Sequence, residues 1–199
     1  MSISVRTATS KEMRNTRNVV RLMTRGREFD ENMLTVDWSK KRVLPNLGYT
    51  FIPKEKGVKG YRVRIGGTVS ELLMPETVRN DIIILYIHGG GFVSGSASAS
   101  RAYASCLASY TGCRVLSAEY RLSPENKYPD GIEDCYNIFR VLRKKYPYAR
   151  IVLAGESAGG NLVLALPQKL RDDGLPFPAG IISCSPVVQF LHYAYSYYE

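Results

Sequence analysis

The sequence predicts an α/β fold, a mostly parallel sheet flanked by helices. From Tyr61 onward, short apolar runs rich in β-branched residues alternate with helical patterns. The connections between them are short, which for parallel strands implies right-handed crossovers. The run "DIIILYI", residues 81–87, has the length and composition of a buried strand. At 199 residues the chain is long enough for one domain with a sizeable core.

In chain order, "SKEMRNTRNVVRLMTRGREF" from Ser10 reads as a basic amphipathic helix, with Met13, Val20 and Met23 near one face and Gly26 weakening its end. A second short element is expected around "DENMLTVDWSKKRVL". Pro45, Gly48 and Pro53 then break the chain into a linker ending near Gly60. "YRVRI" and "SELLM" are short strands around a Gly66-Gly67 turn. After the buried strand, "ASASRAYASCLASYTGC" is a helix of small residues stopped near Gly112, and "RVLSAEY" a strand. "GIEDCYNIFRVLRKKY" is an amphipathic helix stopped at Pro147, and "RIVLAG" a strand. "AGGNLVLALPQKLRDDG" is a helix interrupted by Pro167, and "AGIISCSPVV" a final strand. The division expected is a helical cap or leader over residues 1–54 and a core over 55–199.

Composition narrows the function. Hydrophobic, aromatic and charged fractions of 45%, 11% and 23% are those of an ordinary globular protein. No apolar run reaches the roughly 18 residues of a membrane span, and the N-terminus lacks the apolar block of a secretory signal, so the expected compartment is cytoplasmic. Cys106, Cys113, Cys135 and Cys184 show no CxxC spacing, which reads as buried reduced thiols rather than a zinc site. With two histidines, His88 and His192, imidazole chemistry is scarce, and no metal or organic cofactor is implied. The net charge of +9 is N-terminal: residues 1–64 hold 15 Lys/Arg against 6 Asp/Glu, and the remainder 12 against 12. This basic leader reads as a solvated helical flap, with an anionic-surface binder or a presequence as alternatives. It lacks the interleaved aromatics of a nucleic-acid site.

Two motifs carry chemistry. "GESAG", residues 155–159, fits GxSxG and lies after a strand and before a helix, where a sharp turn would hold the Ser157 hydroxyl above the sheet edge. Gly155 and Gly159 would avoid clashes where strand and helix crowd. A glycine-rich turn with an incidental serine is the plain alternative. Upstream, "IHGGGF" ends the buried strand in Gly89, Gly90 and Gly91. Backbone N–H groups stabilise an oxyanion when no side chain blocks the approach, so Gly90 and Gly91 would donate from this loop and Ala158 from the turn. A phosphate loop would need a GxGxxG or Walker pattern, which "GGGFVSG" does not complete.

Together with "AEYRLSPENKYPDGIEDC" and "SCSPVV", these motifs resemble the hormone-sensitive-lipase-like family of α/β-hydrolases over roughly residues 55–188. The resemblance implies an α/β-hydrolase fold truncated after about the sixth core strand, with residues 1–54 placed like the family's cap helices. It implies esters of short to medium acyl chains as small-molecule substrates, with Ser157 as nucleophile. His88 would organise the loop rather than act as base, and Glu156 stands where many members have aspartate.

The family's triad acid and histidine come downstream of the serine. Here Asp172 and Asp173 fall at the far end of the following helix, roughly 20 Å away at 1.5 Å rise per residue, and are excluded as the acid. His192 is the one later histidine, and Gln189 replaces an aspartate common after the "SP" segment. A serine without its base is a poor nucleophile, so activity is expected to be impaired. A non-catalytic ligand-binding protein or an inactive remnant on the same scaffold stays open. The strand "AGIISCSPVV" is expected to leave an unpaired apolar edge, which Tyr193, Tyr195 and Tyr197 could extend. Oligomeric state is left open.

Overall fold

The structure, a computed structural model, describes residues 37–188. The helix expected from Ser10, Gln189, His192 and the tail tyrosines lie outside the described residues. Contacts divide the chain into a unit ending at Val36 and one beginning at Asp37. The sheet and every element below belong to the second.

Two strands, β1 (Val58–Ile65) and β2 (Thr68–Pro75), form an antiparallel hairpin. Its turn needs glycine at Gly66, where φ is +59° and a Cβ would lie 2.5 Å from the Ile138 nitrogen. Next come β3 (Arg79–Ile87), β4 (Cys113–Ala118), β5 (Arg150–Glu156) and β6 (Gly180–Cys184). The six strands run in the order β1-β2-β4-β3-β5-β6. β2 meets β4 antiparallel, whereas β4, β3, β5 and β6 are mutually parallel.

Chain alternation explains where the core sits. Ile83, Leu85 and Ile87 of β3 face one side and pack with Leu116, Ile138, Phe139, Leu153 and Leu166; Ile84 and Tyr86 face the other, with Ala104, Ala108 and Val115. A strand buried on both faces must be apolar throughout, which is why "DIIILYI" shows no alternation. The first side is covered by the helices following β4 and β5, the second by the helix following β3.

Numbered along the chain, the helices are α1 (Trp38–Lys41), α2 (Val43–Thr50), α3 (Arg101–Thr111), α4 (Asp130–Lys145) and α5 (Ala158–Asp172). The stretch expected as a linker around Pro45 and Gly48 is thus helical. Pro45 cannot donate to the carbonyl four residues back, at Lys41, so it divides α1 from α2 near Arg42 instead of ending the helix. Pro167 likewise fails to interrupt α5, whose buried Leu162, Val163, Leu166 and Leu170 hold the helix through the missing bond. α3 starts at Arg101 rather than Ala97 and ends on Gly112 in the left-handed conformation, φ +65°.

Among the described residues β6 is the last strand of the sheet; it stops at Cys184, short of the expected Val188, with Ile181 and Ile182 exposed. The four thiols are free, but they are not uniformly buried. Cys113 and Cys135 are buried, Cys106 is half-buried and Cys184 is exposed at the end of that edge strand. Among the described residues, no helix is long and apolar enough to cross a membrane.

Leu153, with no exposed surface in the centre of the sheet, gives a direct test of this core. Leu153→Ala is expected to lower unfolding free energy by about 3 kcal/mol, the usual cost of a buried Leu→Ala cavity. Urea denaturation followed by circular dichroism measures it; a loss below about 1 kcal/mol would contradict the packing described.

Candidate active site

Between the last residue of β5 and the first of α5 stands Ser157, with φ +55° and ψ −118°, left-handed backbone that costs a non-glycine residue about 1–3 kcal/mol. The turn exists because its neighbours lack side chains. A Cβ on Gly155 would lie 2.5 Å from the Gly159 oxygen, and one on Gly159 only 2.0 Å from the Ile87 oxygen. Hydrogen bonds lock the rest: the Ser157 N–H donates to the Cys184 carbonyl at 3.0 Å, and its own carbonyl accepts from Asn161 at 3.0 Å and Val187 at 3.2 Å.

The glycine loop rests against this turn. A Cβ on Gly89 would meet the Glu156 oxygen at 2.8 Å and the Ser157 Cβ at 3.1 Å. Gly90 and Gly91 have φ of +116° and +63°, which glycine adopts without strain. The Gly90 carbonyl points back into the loop and accepts from Val93 N–H, Ser94 N–H and the Ser94 hydroxyl at 3.2, 3.0 and 2.9 Å. Among the described residues nothing accepts from the N–H of Gly90, Gly91 or Ala158, and nothing bonds the Ser157 hydroxyl. The structure therefore places a hydroxyl at a helix N-terminus, with Gly89, at the head of the glycine loop, packed against it.

Glu156 does more than its place in the motif suggested. Its Oε1 accepts from the Gly89 N–H at 2.6 Å and its Oε2 from the Tyr86 hydroxyl at 2.7 Å. One carboxylate thereby ties the turn to both the glycine loop and the adjoining strand. Burial, reinforced by the Glu156 charge, pushes the Tyr86 phenol far above its ordinary range, so it stays a donor. The sequence signal was faint: one hydroxyl in the otherwise apolar run Ile82–Ile87.

His88 is 1% exposed and stacks on Tyr120 with ring centroids 4.3 Å apart. The Tyr120 hydroxyl donates to the His88 carbonyl at 2.8 Å. Burial pulls the imidazole down to about 4, leaving it neutral, and its Nδ1 lies 2.8 Å from the Gly89 carbonyl, to which the neutral Nδ1–H tautomer donates. That arrangement holds the loop and takes no proton from Ser157. Asp172 and Asp173 lie at the end of α5, the first paired with Arg171 and the second accepting from the Tyr136 hydroxyl, remote from the turn. Glu119 is also committed: its carboxylate accepts from the Ala97 N–H at 2.8 Å, and burial raises its pKa. Among the described residues no group of His, Cys, Asp and Glu could hold a metal ion. A cavity of about 680 Å³ starts at Gly91 and Phe92 and runs past Tyr120 and Ile132 along α5 as far as Asp172 and Asp173; Ser157 does not line it.

Residues 84–198 match a family model described as the alpha/beta hydrolase fold. An acetyl-hydrolase of Streptomyces hygroscopicus is 37% identical over 125 residues, 62% of this chain and 42% of that protein. A putative acetyl-hydrolase of Mycobacterium tuberculosis, LipR, is 32% identical over 168 residues, 83% of this chain and 54% of that one. Among solved structures, a hormone-sensitive lipase from a metagenome library superposes with a TM-score of 0.79 at 32% identity, covering 88% of this chain and 57% of that one. The chain spans about half the length of the curated relatives it matches.

The buried neutral His88 has a measurable consequence. Below the ordinary histidine pKa of 6.5 the unfolded chain takes up a proton that folded His88 refuses until about pH 4. Its contribution to stability should therefore fall as pH drops through that window, by up to about 1.4 kcal/mol per pH unit. Urea unfolding at pH 4 to 7 is expected to show this slope as the difference between the native chain and His88→Gln; parallel curves would place His88 in contact with solvent.

Proposed function

The chain belongs to the α/β-hydrolase family, among its hormone-sensitive-lipase-like members, and on that premise we propose that it carries the nucleophile half of a carboxylic-ester hydrolase site. The observation that carries the proposal is the seating of the glycine loop on the turn that holds Ser157, with a Gly89 Cβ position only 3.1 Å from that of Ser157. The Ser157 Oγ attacks the acyl carbon. As the tetrahedral intermediate forms, negative charge moves onto the former carbonyl oxygen, which takes hydrogen bonds from Gly90, Gly91 and Ala158. Each such donor contributes about 3 kcal/mol to the transition state, and the N-terminus of α5 favours the same charge.

Ser157 must lose its proton as it attacks, and no described residue stands where it could take it. His88 is turned to its own loop, and His192 lies outside the described residues. The acyl-serine mechanism uses no cofactor. The substrates proposed are small esters of short to medium acyl chains, in keeping with relatives named acetyl-hydrolases. A second reading, a ligand-binding protein without turnover on the same scaffold, draws on the absence of a base beside Ser157 among the described residues. The 680 Å³ cavity, which meets the glycine loop at Gly91, is of ligand size.

Hydrolysis of p-nitrophenyl butyrate by the 199-residue chain, beside Ser157→Ala, separates the two. Hydrolysis that falls to background in the variant supports the ester hydrolase. Equal background rates in both folded proteins, with ester-dependent stabilisation of the native chain, favour binding without turnover.

A further inference from the structure

Gly95, six residues along from Gly89, closes the glycine loop on itself. Its φ is +94°, and a Cβ there would lie 2.5 Å from the His88 Nδ1 and 2.6 Å from the Gly89 oxygen. Its backbone is therefore pressed against the residues that lead into the candidate oxyanion hole. What holds Gly95 in that place comes from far away in the sequence. The Asn46 side chain donates from Nδ2 to the Gly95 carbonyl at 3.2 Å, while its Oδ1 accepts from the Gly95 N–H at 3.0 Å. Both backbone groups of one glycine are satisfied by one carboxamide, which presents a donor and an acceptor at fixed spacing as no hydroxyl or carboxylate does.

Asn46 is on α2, and Arg42, the residue just before that helix, is tied down independently. Arg42 donates to the Glu125 carboxylate at 2.6 Å and to the Ser123 carbonyl at 3.4 Å, and the Ser123 N–H in turn donates to the Phe92 carbonyl at 2.8 Å. The helix thus reaches the glycine loop by two routes, at Gly95 directly and at Phe92 through Ser123. At the loop's other end Glu156 grips Gly89. Gly90 and Gly91 are suspended between these anchors.

We propose that Asn46 is a positioning residue for the oxyanion loop, so that α2 forms part of the catalytic framework rather than only covering it. The proposal rests on the ester-hydrolase reading for its catalytic meaning, but the coupling of Asn46 to the loop does not. Releasing Gly95 frees the loop to swing about Gly89, and its donors lose their aim. Transition-state stabilisation falls while substrate contact is unchanged.

Two measurements on the full 199-residue chain test this, each with Asn46→Ala and with Asn46→Asp, which keeps the acceptor for the Gly95 N–H and loses the donor. In amide hydrogen exchange by NMR, Asn46→Ala is expected to speed Gly95 about tenfold, the equivalent of one lost buried hydrogen bond, and to speed Gly89 and Ser94 several-fold. Core amides of β3 and β5 should stay at native rates, and Asn46→Asp should fall between. An effect confined to Gly95, or a uniform acceleration that includes β3 and β5, overturns the proposal. In phosphonylation of Ser157 by an alkyl fluorophosphonate, the maximal rate should drop about tenfold with the half-saturating concentration unchanged; the converse pattern overturns it. A native chain that takes no label defeats the ester-hydrolase reading instead, and the exchange data then decide the Asn46 coupling alone.

Discussion

The approach of α5 to the end of β3 is the contact on which the remainder depends. Gly159 sits so near the Ile87 carbonyl that a methyl group would overlap it at 2.0 Å. That proximity lets α5 start immediately after β5, which forces Ser157 into left-handed backbone. It also brings the continuation of β3, His88 and the glycines, beside the serine. Ser157 and the glycine loop share an address because two glycines removed the atoms that would have kept them apart.

Around this contact the molecule uses polar groups in an otherwise apolar interior, and each is bonded to the loop it steadies. Glu156 accepts from Gly89 and Tyr86, Tyr120 donates to the His88 carbonyl, and His88 leans on the Gly89 carbonyl. The cost of burying these groups is offset where their partners are backbone groups that a turning chain leaves unpaired. The left-handed serine is held by the same means, with its N–H and carbonyl both engaged by β6 and the residues after it.

The sequence made the alternation of strands and helices legible because β-branched runs and amphipathic periods are local. The same holds for the serine turn and the glycine loop, whose residue types are dictated by sterics within a few positions. Helix bounds around proline were less legible. Pro45 and Pro167 look like breaks, yet both are accommodated: Pro45 sits in the first turn of α2, where its missing N–H costs least, and buried leucines hold α5 through Pro167. Least legible were the partners of the loop. Nothing near Asn46 announces Gly95, and the second task of Glu156 appears only when β3 and β5 lie side by side. Long-range pairs leave no local trace.

β3 lies inside the sheet, yet both its neighbours there, β4 and β5, are later in the chain, and the pairing that joins Glu156 to Gly89 closes a separation of 67 residues. Contacts of such span lose chain entropy before they return any free energy, so they form slowly. While the chain waits for β5, one flank of its most apolar strand stands open to any other extended segment, including the same strand of a neighbouring molecule. Dilution during refolding is therefore expected to raise the yield of native protein, since the pairing of β3 with β5 must form before Glu156 can reach Gly89.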